Sequence, residues 1–271
     1  MQNIMLNNIP FNKIIYMHSF VKEARNYNVI GNPVGIVFEK KFSDHERMQH
    51  IAIETKFPIT AFVVPTERDS FNAKFYSPSG YNFDLCGHAS IGIGHALKFF
   101  GGQFESININ HQQGSNSIKI HSIETGFIYN LPCFKVSKIA PEIGAIIKKH
   151  FNLKTFLQGY FCFSQDLVVQ LSNNFSLRSL SLQAGDFDFL YKYYPNLRGI
   201  IFFSESSDPY FSYEIRSFFP HLGIFEDIAC GSGAASVFSV LKDYLRPSLK
   251  YSVLYPYKSK DNLFGGVMNV S

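Results

Sequence analysis

The sequence predicts an α+β protein built from two similar halves, and three observations predict it. Strand-like runs come first in each half and an amphipathic helix comes late, which is α+β order rather than βαβ alternation. A Cys-Gly corner followed by small residues opens that late helix in both halves. The 271 residues suffice for two domains of ordinary size, and an apolar content of 46% is a normal globular value.

The elements follow from local pattern. Ile14 to Phe20, Val34 to Phe38, Ala61 to Pro65 and Phe71 to Ser77 are rich in β-branched and aromatic residues and end at turn formers, so they read as strands. A helix spans Asp44 to Thr55, with Asp44 as its cap and Met48 and Ile51 on one face. A second runs from His88 to about Phe100 and ends at Gly101 and Gly102. The other half repeats the order. Its strands are Ile118 to Ile120, Phe127 to Leu131, Leu167 to Leu171, Gly199 to Ser204 and Phe211 to Ser217. Helices are expected over Pro141 to His150, Asp186 to Tyr193 and Ser232 to about Leu245, the last stopped by Pro247. Asn262 to Val270 reads as a closing strand. The polar stretch His111 to Ser117 is the expected boundary, giving domains 1–115 and 116–261, with 262–271 completing the first.

Composition narrows the function. The 29 Phe residues have no polar handle and belong mostly in cores. The net charge of +4 is spread out, with no basic arm or nucleic-acid module, so nucleic acid is not an expected partner. None of Cys86, Cys133, Cys162 and Cys230 forms a C-x-x-C pair, which argues against structural zinc. Neither a leader pattern nor an apolar run of bilayer length is visible. The expectation is a cytoplasmic protein with reduced thiols, no membrane and a small-molecule partner; monomer and homodimer both stay open. Cys133 and Cys162, in P-C-F and F-C-F, are assigned to core.

Chemistry concentrates in the two corners. Residues 84–90 read D-L-C-G-H-A-S, and residues 227–236 read D-I-A-C-G-S-G-A-A-S. A helix N-terminus exposes unpaired N–H groups and the positive end of the peptide dipole. A thiolate is stabilised there, and the same N–H groups can hold a carboxylate. Glycine after the cysteine lets a ligand approach the backbone. Two thiols flanking one carbon are what inversion needs: one removes the α-proton, the other returns a proton, and the pair titrates as a unit. Each cysteine taken alone would read as a small buried residue.

These stretches resemble the superfamily of diaminopimelate epimerase, proline racemase and the phenazine-biosynthesis F family, most closely the last. G-N-P-V-G-I-V (Gly31 to Val37), Met48 to Val63, D-L-C-G-H-A-S and Ile215 to Ser236 carry the likeness. It implies the diaminopimelate epimerase-like fold, in which each domain wraps a barrel-like sheet around a central helix and the active site lies in the cleft between them. It implies no cofactor. It also places Asn32, Gly87, His88, Asp227, Gly231 and Ser232 near substrate, with Cys86 and Cys230 as acid and base. Without it, Asn32 reads as a turn former, His88 as a helix-start hydrogen bond, and Asp227 and Ser232 as caps. Glu226 is expected to be solvated and Arg216 to form a structural ion pair.

Two departures matter. The phenazine branch carries a proton-transferring acid where this chain has Ile59, and usually a Thr where this chain has Cys230. Both point to a racemase or epimerase of an amino acid or derivative, working through two thiols. The alternatives are a phenazine-type isomerase that moves a proton within an unsaturated acid, and an inactive small-molecule-binding relative.

Overall fold

The computed structural model describes residues 8–21, 28–67, 69–84, 86–111, 117–131, 133–173, 176–245, 251–256 and 263–270. The first elements in chain order are β1 (Ile14–Ser19), β2 (Asn28–Val29), β3 (Asn32–Phe38), α1 (His45–Thr55), β4 (Ile59–Pro65), β5 (Ser70–Tyr76), β6 (Asn82–Phe83), α2 (Gly87–Phe99), β7 (Ser106–His111), β8 (Ser117–Ile123) and β9 (Gly126–Tyr129). There follow β10 (Val136–Lys138), α3 (Pro141–His150), β11 (Phe156–Cys162), β12 (Asp166–Leu171), β13 (Gly199–Glu205), β14 (Tyr213–Phe219), β15 (Ile224–Asp227), α4 (Gly231–Val240), β16 (Tyr251–Pro256) and β17 (Leu263–Val270). No helix among the described residues is long and apolar enough to cross a membrane.

The chain divides into two compact units, Met1–Ser19 with Pro33–Asn130, and Phe20–Asn32 with Leu131–Ser271. In the first, the sheet runs β1-β3-β4-β5-β7-β8-β9, with β6 beside β5. It is mixed: β3 and β4 pair in parallel, β4 and β5 antiparallel, β5 and β7 in parallel. Strands sit roughly 4.8 Å apart, so laid flat this path would span about 30 Å. A helix is only about 10 Å wide. Yet α2 packs against β1 at one edge, β4 in the middle, and β8 and β9 at the other edge. The sheet therefore curls around α2. That explains why nearly the whole helix is buried and why it is built from Gly, Ala and Ser between its apolar residues. On the other face, Met48 and Ala52 of α1 pack on Val37, Phe62 and Tyr76. With both faces covered, β4 is buried from Ile59 to Val63, a run rather than an alternation.

The second unit repeats the design. Its sheet runs β10-β11-β12-β13-β14-β16-β17-β2, with β15 beside β14. The central helix, α4, touches β11, β12, β13, β14 and β17. The outer face carries α3 and the 3₁₀ segment Ala184–Lys192, whose Ile147, Phe187 and Leu190 join Leu167, Val169, Phe202 and Phe218 in one core. A charged anchor lies where β11 turns into β12. Asp166 is fully buried and accepts from Arg198 Nε and Nη2 at 2.9 and 2.6 Å. Ser164 and Ser236 donate to its second oxygen at 2.8 and 2.9 Å. Ser236 belongs to α4, so this carboxylate ties the central helix to the sheet.

Three expectations change. The segment expected to be a helix from Asp186 forms a 3₁₀ helix, because its buried residues, Phe187 and Leu190, are three apart and a three-residue repeat aligns them. The stretch His111 to Ser117 is no boundary at its described ends: β7 and β8 pair antiparallel, Asn110 opposite Ser117, and the units part after Asn130. The final strand pairs with β16 and β2, so it belongs to the second sheet rather than completing the first. Leu85, Pro247, Asn262 and the interior of the polar stretch, 112–116, lie outside the described residues.

Candidate active site

In the first unit, β6 leads through Asp84 to Cys86, which is the extended N-cap of α2 at φ −143° and ψ 103°. Gly87 takes the first helical position because Tyr129 of β9 presses on it: a Cβ there would stand 2.5 Å from Tyr129 Oη. His88 comes next and is buried, its carbonyl accepting from Ser19 Oγ at 2.6 Å. Its Nδ1 lies 3.4 Å from Cys86 Sγ. Cys86 itself is 8% exposed, so a thiol and an imidazole meet in a dry corner at the positive end of a helix.

In the second unit, β15 ends at Asp227 and the chain turns into Cys230, the N-cap of α4 at φ −105° and ψ 109°. Gly233 N–H donates to Cys230 Sγ at 3.2 Å, and Ser232 Oγ lies 3.3 Å from the sulfur. Burial pushes the Cys230 thiol well above the usual range, and the negative charge of Asp227 pushes the same way. The Ser232 and Gly233 donors oppose this and are outweighed. At neutral pH Cys230 therefore holds its proton.

Asn32 closes this corner. It is fully buried, and its Nδ2 donates to Asp227 Oδ1 at 2.5 Å and to the Ala229 carbonyl at 3.0 Å. Both amide hydrogens are thus spent on the protein, and what Asn32 has left to offer a ligand is its oxygen. The Cys86 corner accordingly gathers Gly87 and His88, and the Cys230 corner gathers Asn32, Asp227, Gly231 and Ser232.

Neighbouring residues sort by strand alternation. Asp227 turns toward Cys230, while Glu226 turns to the opposite face and pairs with Arg216, Nε to Oε1 at 2.7 Å and Nη2 to Oε2 at 2.8 Å. Arg216 Nη1 also donates to the carbonyls of Leu177 and Leu180. The structural ion pair expected of Arg216 is present, and Glu226 is its partner rather than a solvated side chain. Cys162 is buried at the end of β11, as expected of a core residue. Cys133 is exposed and outside any strand, near Ser239 Oγ and Lys242 Nζ, because β9 has already ended at Tyr129. Ile59 is buried and carries no proton to exchange.

Sequence reasoning missed two groups beneath α4: the Asp166–Arg198 pair and Ser217, the one small polar residue between Ile215 and Phe219 on the same face of β14. The signal for Ser217 was that break in an otherwise apolar alternation.

A family model described as phenazine biosynthesis-like protein, PhzC-PhzF, matches residues 26–254. The chain belongs to this phenazine biosynthesis-like family. One relative, an uncharacterized isomerase of Schizosaccharomyces pombe, is 32% identical over 125 residues, which is 43% of this chain and 65%, just under two thirds, of that protein. A phenazine biosynthesis PhzF family protein of Enterococcus faecalis has the same fold, with a TM-score of 0.73 at 22% identity, over 95% of this chain and 97% of that one. The fold extends to a probable proline racemase of Agrobacterium radiobacter, TM-score 0.60 at 9% identity, over 94% of this chain and 83% of that one. The chain thus has the diaminopimelate epimerase-like fold expected from the motifs.

Proposed function

We propose that this protein is a cofactor-independent racemase or epimerase that inverts the α-carbon of an amino acid or a close derivative, with Cys86 and Cys230 as its acid–base pair. The observation that carries this reading is the repetition of one device: in each unit a buried cysteine stands at the N-cap position of the central helix and a glycine follows it. The relatives' isomerase names and the fold shared with a probable proline racemase support it.

The roles follow from the two environments. Cys230, held protonated by burial and by Asp227, is the donor. Cys86 is the base, with His88 Nδ1 within reach of its proton. The sulfur of Cys86 takes the α-proton, the electron pair of the broken C–H bond stays on carbon, and the Cys230 proton closes the new C–H bond on the other face. Both sulfurs must reach one carbon. The unpaired N–H groups of the first helical turns supply donors for the substrate carboxylate and for the negative charge that develops next to it, which is where electrostatic stabilisation has most effect. Gly87, Gly231 and Ser232 contribute those backbone groups. Asn32 Oδ1 and Asp227 are acceptors suited to the substrate ammonium.

A phenazine-type proton shift within an unsaturated acid is a second reading, favoured by the presence of Asp227 and His88 as further proton carriers. The two readings separate in one experiment. A panel of amino acids incubated with the protein in heavy water, followed by chiral separation and mass, should reveal one that inverts and gains one deuterium. Cys86→Ser and Cys230→Ser should each lower that inversion at least about a hundredfold, the scale of lost acid–base catalysis. Full inversion by both single variants would remove the two-thiol mechanism. Double-bond migration that survives Cys230→Ser would favour the second reading.

A further inference from the structure

Ser217 is fully buried on β14, opposite Asp227 in the β14–β15 pairing. Its hydroxyl has no hydrogen-bond partner among the described residues. A buried hydroxyl left unpaired destabilises a fold, so a position that keeps one calls for a reason. Its place supplies the reason. A Cβ built on Gly233 would run into Ser217 Oγ and would stand 3.4 Å from Cys230 Sγ. Hydroxyl and sulfur thus both lie beside Gly233, whose missing side chain leaves room for the hydroxyl, and no hydrogen bond joins the two in this state.

We propose that Ser217 is a positioning residue for Cys230, a donor held in reserve for the thiolate. While Cys230 carries its proton, the sulfur is contacted by Gly233 N–H and Ser232 Oγ, and the nearby Asp227 charge favours keeping the proton. In this state Ser217 has nothing to do. When the S–H bond breaks and the proton passes to carbon, the bonding pair stays on sulfur as a full negative charge. That charge then faces the Asp227 carboxylate, against which the Arg198 guanidinium acts from beneath α4 without touching the sulfur, and it needs donors. Rotation of the Ser217 side chain about its Cα–Cβ bond then brings Oγ to the sulfur and adds a bond that the thiol state does not have. An interaction made only by the charged state lowers the barrier without tightening the resting state. Asn32 is not available for this, because its amide is committed to Asp227 and Ala229.

This role rests on the reading of Cys230 as a proton-transfer group, but its experiment needs no substrate. Cys230 alkylation by iodoacetamide is followed by peptide mass between pH 7 and 10 in the wild type, Ser217→Ala and Ser217→Thr. The series is repeated on an Asp227→Asn background, where loss of the carboxylate brings the thiolate within range. The ¹³C shift of labelled Cys230 Cβ follows the same ionisation wherever the reagent does not reach. Ser217→Ala should slow alkylation about tenfold at fixed pH, equivalent to about one pH unit upward in the ionisation midpoint. Ser217→Thr should restore it. Thermal stability of Ser217→Ala should be unchanged or higher, since an unpaired hydroxyl is removed, and that distinguishes this role from a structural one. Ionisation midpoints that are identical with and without Ser217 in both backgrounds would overturn the proposal. Failure of the heavy-water screen alongside a shifted midpoint would instead fault the assigned reaction and leave the Ser217–Cys230 coupling in place.

Discussion

Cys230 sits in opposing fields. The amide of Gly233 and the hydroxyl of Ser232 favour a thiolate; burial and the Asp227 carboxylate favour a thiol and prevail. This has a consequence for stability. The unfolded thiol ionises near its ordinary value of 9.0, whereas the folded one ionises well above it. Below that ordinary value both states hold the proton, and the contribution of this group to stability is complete. As pH rises from there toward the folded value, the unfolded state loses its proton first and the contribution is lost. Urea unfolding between pH 7.5 and 10.5 should therefore show a decline for the wild type that is shallower in Cys230→Ser; parallel declines would contradict the assigned environment. The cysteines themselves were legible because an acid, a Cys-Gly pair and small residues occur twice. Their partners were less so. The bond from Asn32 to Asp227 spans 195 positions, and nothing local to either residue announces it.

At the scale of elements, the two central helices are defined by what they exclude. Gly92 of α2 faces Val34, and a Cβ there would stand 2.5 Å from Val34 Cγ1. Alanine gains about 1 kcal/mol of helix propensity over glycine, but forcing a methyl into a filled core costs about 1–3 kcal/mol. Val34 is β-branched and buried, and it has little freedom to yield. Gly92→Ala should therefore destabilise the protein, read as a lower urea midpoint. The tie beneath α4 is electrostatic. Asp166→Ala leaves the Arg198 guanidinium and two serine hydroxyls without their shared acceptor, and breaking such a pair from one side costs about 3 kcal/mol. A loss below about 0.5 kcal/mol would show that the carboxylate does not anchor the helix.

Local chemistry made several of these elements readable. Asp44 Oδ1 accepts from Arg47 N at the start of α1, as the Asp-led sequence predicts, and α3 begins at Pro141 and ends at His150. What was not readable depended on partners. β7, S-I-N-I-N-H, alternates but alternates with Asn, and it becomes a strand by pairing with β5 and β8. The 3₁₀ segment has a helical composition, yet its buried spacing is set by the core it meets.

At the scale of the whole molecule, the order of strands and late helices conveyed the α+β class and the doubling. It did not convey which sheet takes each terminus. The final strand lies in the second sheet because β16 and β2 flank it, a choice made by pairing and invisible in a single run of sequence. Each unit then presents the same device, a buried cysteine at the head of a helix enclosed by its own sheet. On the proposed reading, duplication of a corner supplies two proton carriers, and their differing neighbours, His88 for one and Asp227 for the other, divide the roles.

The most direct measurement is where solvent deuterium appears early in turnover of a single enantiomer in heavy water. Two carriers acting from opposite faces put deuterium into the inverted product while recovered starting enantiomer keeps its original hydrogen. Deuterium in both enantiomers at equal rates would mean that one group handles both protons, and the pairing of Cys86 with Cys230 would be wrong.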